Sequence, residues 1–130
     1  MAREIRFRGR HIARGTWEYG YLLASNIIGL VAEVDQDGRG YRPEIQEFCL
    51  VERASVGQQT GLKDKNGVEV YEGDIVRFKN RYDGEYIYSI VYYKNGFYLD
   101  DGLHSNWDEE DAAEVIGNIY EHSHLLEGTQ

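Results

Sequence analysis

Several groups of residues in this chain have types that could carry chemistry. Asp100, Asp101, Asp108, Glu109, Glu110 and Asp111 are an acidic cluster, and carboxylate oxygens suit Ca²⁺ or Mg²⁺. Their spacing is not that of an EF-hand loop, so the cluster reads as a solvated acidic loop. The histidines are His11, His104, His122 and His124. On a strand, His122 and His124 share a face, but zinc takes three or four ligands and Cys49 is distant in sequence. No metal or cofactor is expected. Gly57, Gly61, Lys63 and Lys65 share a loop without the glycine-lysine-serine/threonine core that cradles phosphate. Cys49, between Phe48 and Leu50, reads as a small core residue rather than a nucleophile. No Ser/His/Asp order and no dinucleotide fingerprint can be assigned. No catalytic residue is named, and the chain is expected not to be an enzyme.

The arginines are the sharper signal. Arg3, Arg6, Arg8, Arg10 and Arg14 stand near the N-terminus with Glu4 as their only acidic neighbour. Strand alternation puts Arg6, Arg8 and Arg10 on one face, beside Trp17, Tyr19 and Tyr21. Cations next to exposed aromatics bind single-stranded nucleic acid by charge and stacking. Arg6, Arg8, Arg10 and Arg14 are therefore candidate nucleic-acid contacts. The competing expectation is a solvated face paired with acidic residues downstream. Charge favours the latter. The net charge is −9. Residues 1–57 balance eight Arg against eight Asp/Glu, while residues 58–130 hold six Lys/Arg against fifteen Asp/Glu. Such a chain repels a polyanion at distance.

The elements that must position these residues are strands. Fifteen glycines, one proline and eleven tyrosines punctuate short runs rich in Val, Ile and Tyr, which is strand-and-turn composition. Strands are expected over Arg3 to Arg10, Thr16 to Leu23 and Ile27 to Val34. Turns are expected at Ser25-Asn26 and at Asp35 to Gly38. Glu44 to Glu52 has an ambiguous period, with a strand favoured over a short helix. Asn66-Gly67 and Gly73 mark tight turns, and Ile75 opens another strand. Asn95-Gly96 reads as the two-residue loop of a hairpin between Glu85 to Lys94 and Phe97 to Asp100. Ser105 to Asp108 fits a helix start leading into Trp107 to Ala113. Val115 to Tyr120 is a last strand.

The expected fold is mainly β: a small barrel-like single domain of short antiparallel strands with at most one or two short helical turns. At 130 residues it can bury a core without staples. Residues 122–130 are expected to fray. Tyr86, Tyr88, Tyr92 and Tyr93 make the first hairpin strand aromatic on both faces. One small domain has difficulty covering both, so these tyrosines form a candidate self-association face. No segment reaches the roughly 20 apolar residues of a membrane span. The single cysteine and the absence of a signal-peptide pattern point to the cytoplasm.

Three segments carry a family resemblance. Val56 to Val76, reading VGQQTGLKDKNGVEVYEGDIV, resembles the signature block of the YopX-like family. Gly15 to Leu22 (GTWEYGYL) is similar to its upstream motif, and Glu114 to Glu121 (EVIGNIYE) to its C-terminal strand. The opening Arg3 to Arg8 is also of the family type. His122-Ser-His124 departs from the short Asn-Pro segment common there. The resemblance implies a β-rich, barrel-like domain over residues 1–121, encoded by phages and prophages. It brings no catalytic residues to transfer. The motif itself is built of turn formers (Gly, Asn, Asp) and strand formers (Val, Ile, Tyr), so its first role is in folding. The expected function is a phage or prophage accessory protein: a non-enzymatic protein-interaction module, self-associating or bound to a phage or host protein. The alternative is a nucleic-acid-binding accessory protein using the arginine-rich strand.

Overall fold

A computed structural model of the chain describes residues 5–35, 38–80, 84–94, 96–102, 105 and 113–127. The chain divides into two compact units, Met1–Gln58 and Gln59–Gln130.

The first unit contains β1 (Phe7–Arg10), β2 (Trp17–Ala24), β3 (Ile27–Asp35), β4 (Tyr41–Leu50) and a single 3₁₀ turn at Arg53–Ser55. All its pairings are antiparallel: β4 on β3, β3 on β2, β2 on β1, and β1 on the start of β5 (Gly57–Lys63). The Ser25-Asn26 turn joins β2 to β3 as expected. The ambiguous Glu44 to Glu52 run resolves as a strand, because β3 supplies it with a full antiparallel ladder from Leu50 to Tyr41. Fully buried Ile28, Cys49 and Val51 make the core, with Phe7, Leu22, Leu30 and Val56 packed against them.

The second unit holds the rest of β5, then β6 (Glu69–Tyr71), β7 (Asp74–Asn80), β8 (Gly84–Tyr93), β9 (Gly96–Leu99), β10 (Glu114–Asn118) and the short helix α1 (His124–Glu127). β5 pairs with β6, and a separate sheet runs β10-β7-β8-β9. Val70, Val76, Ile90, Leu99 and Ala113 are its buried core, flanked by Leu62, Phe78, Tyr88, Phe97 and Val115.

Among the described residues the strands thus lie in two open antiparallel sheets, and neither strand order returns to its first member. The expectation of a β-rich fold holds, but not its barrel-like closure. One reason is visible in β4, an outermost strand. Pro43 lies within it, and Gln46 is an extra residue between the Leu30–Glu47 and Val31–Ile45 pairs. A residue without an N–H and a bulge both interrupt the hydrogen-bond row that closure needs.

The glycine-rich block from Val56 to Val76 does what its composition suggests. Asp64 N–H donates to the Val68 carbonyl at 2.8 Å, and Gly67 N–H to the Asp64 carbonyl at 3.0 Å. Gly67 sits at φ +82°, a left-handed conformation that costs glycine nothing. At Gly73 the chain turns again. Asp74, almost fully buried, accepts the Tyr71 N–H at 2.8 Å.

Among the boundaries that differ from expectation are those of the hairpin loop and the last strand. In the β8–β9 hairpin Tyr93 pairs directly with Gly96, so the loop is Lys94-Asn95 and not Asn95-Gly96. Lys94 takes the left-handed position at φ +56°, and Asn95 lies outside the described residues. The last strand stops at Asn118 rather than Tyr120, because Asn118 becomes a local cap. Its Oδ1 accepts the Glu121 N–H at 2.8 Å, its carbonyl accepts the His122 N–H at 2.8 Å, and its own N–H donates to His122 Nδ1 at 3.2 Å. Within the segment expected to fray, α1 follows this cap. The helix start expected at Ser105 to Asp108 falls largely on residues 106–112, outside the described ones. Ser105 itself bridges to Leu99.

Candidate interaction face of the first unit

The arginine-rich strand is placed by its register. Arg8 stands opposite Tyr19 and Arg10 opposite Trp17, and cross-strand partners share a sheet face. Tyr21 and Leu23 continue that face along β2. Tyr21 pairs with Gly29, and Gly29 with Phe48. Leu50 follows two residues after Phe48, on the same side. One face therefore combines Arg8, Arg10, Trp17, Tyr19, Tyr21, Leu23, Phe48 and Leu50. The opposite face carries Phe7, Gly20, Leu22, Ile28 and Cys49, the core side.

Exposure divides this face in two. Toward β4 it is open and apolar: Phe48 is 66% exposed, Leu50 49%, Tyr19 47% and Leu23 44%. Gly29 has no side chain, and Leu23 leans over it. Toward β1 it is closed. Arg8 is only 7% exposed, with its guanidinium carbon 4.9 Å from the centre of the Trp17 ring. Arg6 and Arg10 are half-buried. Arg8 is thus packed, not presented, because Trp17 covers the delocalised cation that it attracts.

Arg14 lies apart, in the turn before β2. Its Nη2 donates to Glu47 Oε2 at 2.8 Å and lies 3.9 Å from Glu18 Oε1. It also approaches the Cys49 sulfur at 3.9 Å. The hydrogen bond to Glu47 raises the Arg14 pKa and, reciprocally, holds the Glu47 carboxyl below its ordinary value. The carboxylates that engage Arg14 lie within residues 1–58, not in the acidic stretch downstream where they were expected. Cys49 is fully buried, and that desolvation pushes its thiol pKa up. A thiol held protonated is a poor nucleophile.

The tyrosines of β8 separate as well. Tyr86 stacks on Phe78 at 5.7 Å and on Tyr88 at 6.4 Å, and Tyr88 packs on the second unit's core. Tyr92 and Tyr93 are exposed near the hairpin loop. Tyr92 meets Phe97 edge-on at 5.3 Å, and the Lys94 ammonium lies 5.3 Å from the Tyr93 ring. Alternation along β8 puts Tyr86, Tyr88 and Tyr92 on one face and Tyr93 on the other.

Of the acidic cluster, Asp101 Oδ1 accepts the Ser105 N–H at 3.3 Å, and residues 108–111 lie outside the described ones, as does His104. His11 Nδ1 accepts the N–H groups of Ala13 and Arg14, each at 3.1 Å. The rings of His122 and His124 are 6.2 Å apart. Among the described residues no three His, Cys, Asp or Glu side chains converge on a common point. No helix among them is long and apolar enough to cross a membrane.

Sequence reasoning missed Phe48 and Leu50 as surface residues, taking them as the apolar surroundings of Cys49. The signal was present. On a strand, an inward Cys49 turns both neighbours outward.

With this geometry in view, comparison with known proteins adds a family and a fold. No curated protein is similar enough to the chain to count as a relative. A solved structure, the crystal structure of protein EF1440 from Enterococcus faecalis, is similar with a TM-score of 0.64 at 24% identity, covering 96% of this chain and 99% of that one. At that identity the likeness speaks for the fold alone. The profile of the family described as YopX protein matches residues 6–127, which takes in the arginine strand, the Val56 to Val76 block and β10: the chain belongs to the YopX family.

Proposed function

We propose that this protein is a non-enzymatic interaction module that presents the apolar part of the first unit's outer sheet face to another protein. The observation that carries this reading is the run Tyr19, Leu23, Phe48 and Leu50, four large apolar side chains exposed together on one face. Contiguous apolar surface of this kind marks interaction sites more often than it marks ordinary surface. The guarded edge of β4 supports a face-on contact rather than strand addition, since Pro43 and the Gln46 bulge both discourage edge pairing. The setting we propose is the cytoplasm of a bacterial host, in phage or prophage development. The partner is a second copy of the chain or a phage or host protein.

The test is capture of partners from induced or infected cells, with and without nuclease, comparing the native chain with a Phe48→Ser, Leu50→Ser double variant. Nuclease-resistant capture that the double variant loses, with its melting temperature kept, is the expected result. Equal capture by both proteins removes this face from the function. Light scattering at micromolar concentration separates the two partner classes: a mass above the 15.0 kDa of one chain indicates self-association.

A second reading, nucleic-acid binding, has one observation in its favour: the register pairs Arg8 with Tyr19 and Arg10 with Trp17. It ranks lower because Arg8 is buried, Arg14 is bonded to Glu47, and the net charge is −9.

A further inference from the structure

We propose that the second unit carries a binding site for a phosphate-class oxyanion, formed by Lys65, Arg77 and Lys79. This inference is independent of the interaction face. A pocket of about 160 Å³ opens between Lys65, Arg77, Phe78, Lys79 and Glu114. Residues 58–130 contain only six Lys/Arg among fifteen Asp/Glu. Half of those six cations line this one pocket, in the most acidic part of the chain.

The topology explains how they meet. Arg77 and Lys79 are two residues apart on β7, so they share a face. Lys65 arrives from the turn after β5, where its backbone N–H donates to the Ala113 carbonyl at 2.9 Å. That bond sets Lys65 beside the start of β10, and β10 is hydrogen-bonded to β7. Phe78, between Arg77 and Lys79 on β7, completes the lining.

Glu114 shows what chemistry the pocket accepts. Its Oε1 takes a 2.5 Å hydrogen bond from Arg77 Nη2, and its Oε2 lies 3.4 Å from Asn66 Nδ2. Those contacts, led by Arg77 and helped by the charge of Lys65, hold its carboxyl below the ordinary range. One resident oxyanion is thus already bound, and it engages chiefly one of the three cations. Glu85, opposite Lys79 in the β7–β8 ladder, sends its carboxylate toward Arg77 at 3.8 Å instead. Lys79 has no ion-pair partner among the described residues, and both lysines are exposed. Two ammonium groups remain to meet an incoming ligand. A phosphate group, with a charge near −2 at neutral pH, matches them better than a second carboxylate does. The volume is below the roughly 300 Å³ at which pockets for drug-sized molecules begin, so it suits one phosphate group and not a whole nucleotide.

The ligand is either free phosphate or the terminal group of a small phosphomonoester. The test is amide-resolved NMR titration of the full chain with inorganic phosphate, and separately with phenyl phosphate, against sodium chloride at matched ionic strength. Saturable shifts at Lys65, Arg77, Lys79 and Glu114 with phosphate but not chloride are expected. A Lys65→Gln, Lys79→Gln double variant, altered only at exposed side chains, should keep its melting temperature and bind at least about tenfold more weakly, the equivalent of one lost charge-assisted hydrogen bond. Tighter binding of phenyl phosphate assigns the site to a phosphomonoester, and equal or weaker binding to the free ion. Identical responses to phosphate and chloride, or unchanged affinity in the double variant, would overturn the proposal.

Discussion

The carboxylate of Asp64 accepts the backbone N–H of Val115 at 3.0 Å, joining the turn after β5 to β10 across 51 positions of sequence. Its other oxygen accepts the N–H groups of Asn66 and Val68, both at 2.9 Å. Asp64 is only 8% exposed, so one side chain satisfies three backbone donors away from water. Replacing it by alanine leaves those donors without their partner. We expect Asp64→Ala to cost roughly 3 kcal/mol in urea unfolding. Asp64→Asn should cost less, since the amide oxygen still accepts. A loss under about 0.5 kcal/mol for the alanine variant would contradict this role.

The same carboxylate makes stability depend on acid. Burial works to raise the Asp64 pKa, but the hydrogen bonds from Val115, Val68 and Asn66 outweigh it, and the folded-state value lies below the ordinary one. The unfolded chain then binds a proton at higher pH than the folded chain does. The contribution is full above the unfolded pKa of about 3.9 and disappears as pH falls through the lower folded value. Unfolding free energy measured from neutrality down through the carboxylate range should fall less steeply in Asp64→Asn than in the native chain. Parallel curves would show that Asp64 is not responsible.

Close approach, not a turn, requires glycine at position 20. A methyl group there would stand 2.3 Å from the Gly29 carbonyl oxygen, and that backbone atom is fixed in the β2–β3 ladder. Gly20→Ala should therefore cost more than about 3 kcal/mol or prevent folding. Gly96→Ala meets only the far end of the Tyr98 side chain, at 3.2 Å, and should be mild. Similar melting temperatures for the two variants would refute this contrast.

The hairpin loop offers a test of register. A β-branched residue resists the left-handed position that Lys94 occupies. Lys94→Val should lower the melting temperature clearly, by the equivalent of about 1–2 kcal/mol. If Gly96→Val is the damaging change and Lys94→Val the harmless one, the loop is Asn95-Gly96 after all.

Arg8 is expected to matter for stability rather than for binding. Buried against Trp17, it contributes both packing and a cation–π contact, and Arg8→Gln should cost about 1–2 kcal/mol. Oligonucleotide binding is better tested with Arg10→Gln and Arg14→Gln, which leave Arg8 in place. Fluorescence anisotropy at low salt is expected to be flat. A salt-sensitive affinity lost in these variants would promote the nucleic-acid reading.

What the sequence determined by itself was local. Gly67 and Gly73 mark turns, and Val, Ile and Tyr runs mark strands, because backbone preference and side-chain period act over a few residues. The Arg and aromatic residues at alternate positions of β1 and β2 could likewise be assigned to one face each. The tertiary structure decided how those pieces were used. Alternation puts Arg8 on a face, but only the register opposite Tyr19, with Trp17 folded over it, made that arginine buried. It also chose Glu47 and Glu18 as the partners of Arg14, left Phe48 and Leu50 exposed beside a buried Cys49, and brought Lys65 to Arg77 and Lys79. Pro43 and the Gln46 bulge in β4 go with open sheets where a barrel was expected. Each of these outcomes depends on which strands pair and in what register, and that is set by burial summed over segments far apart in sequence, which no local pattern encodes.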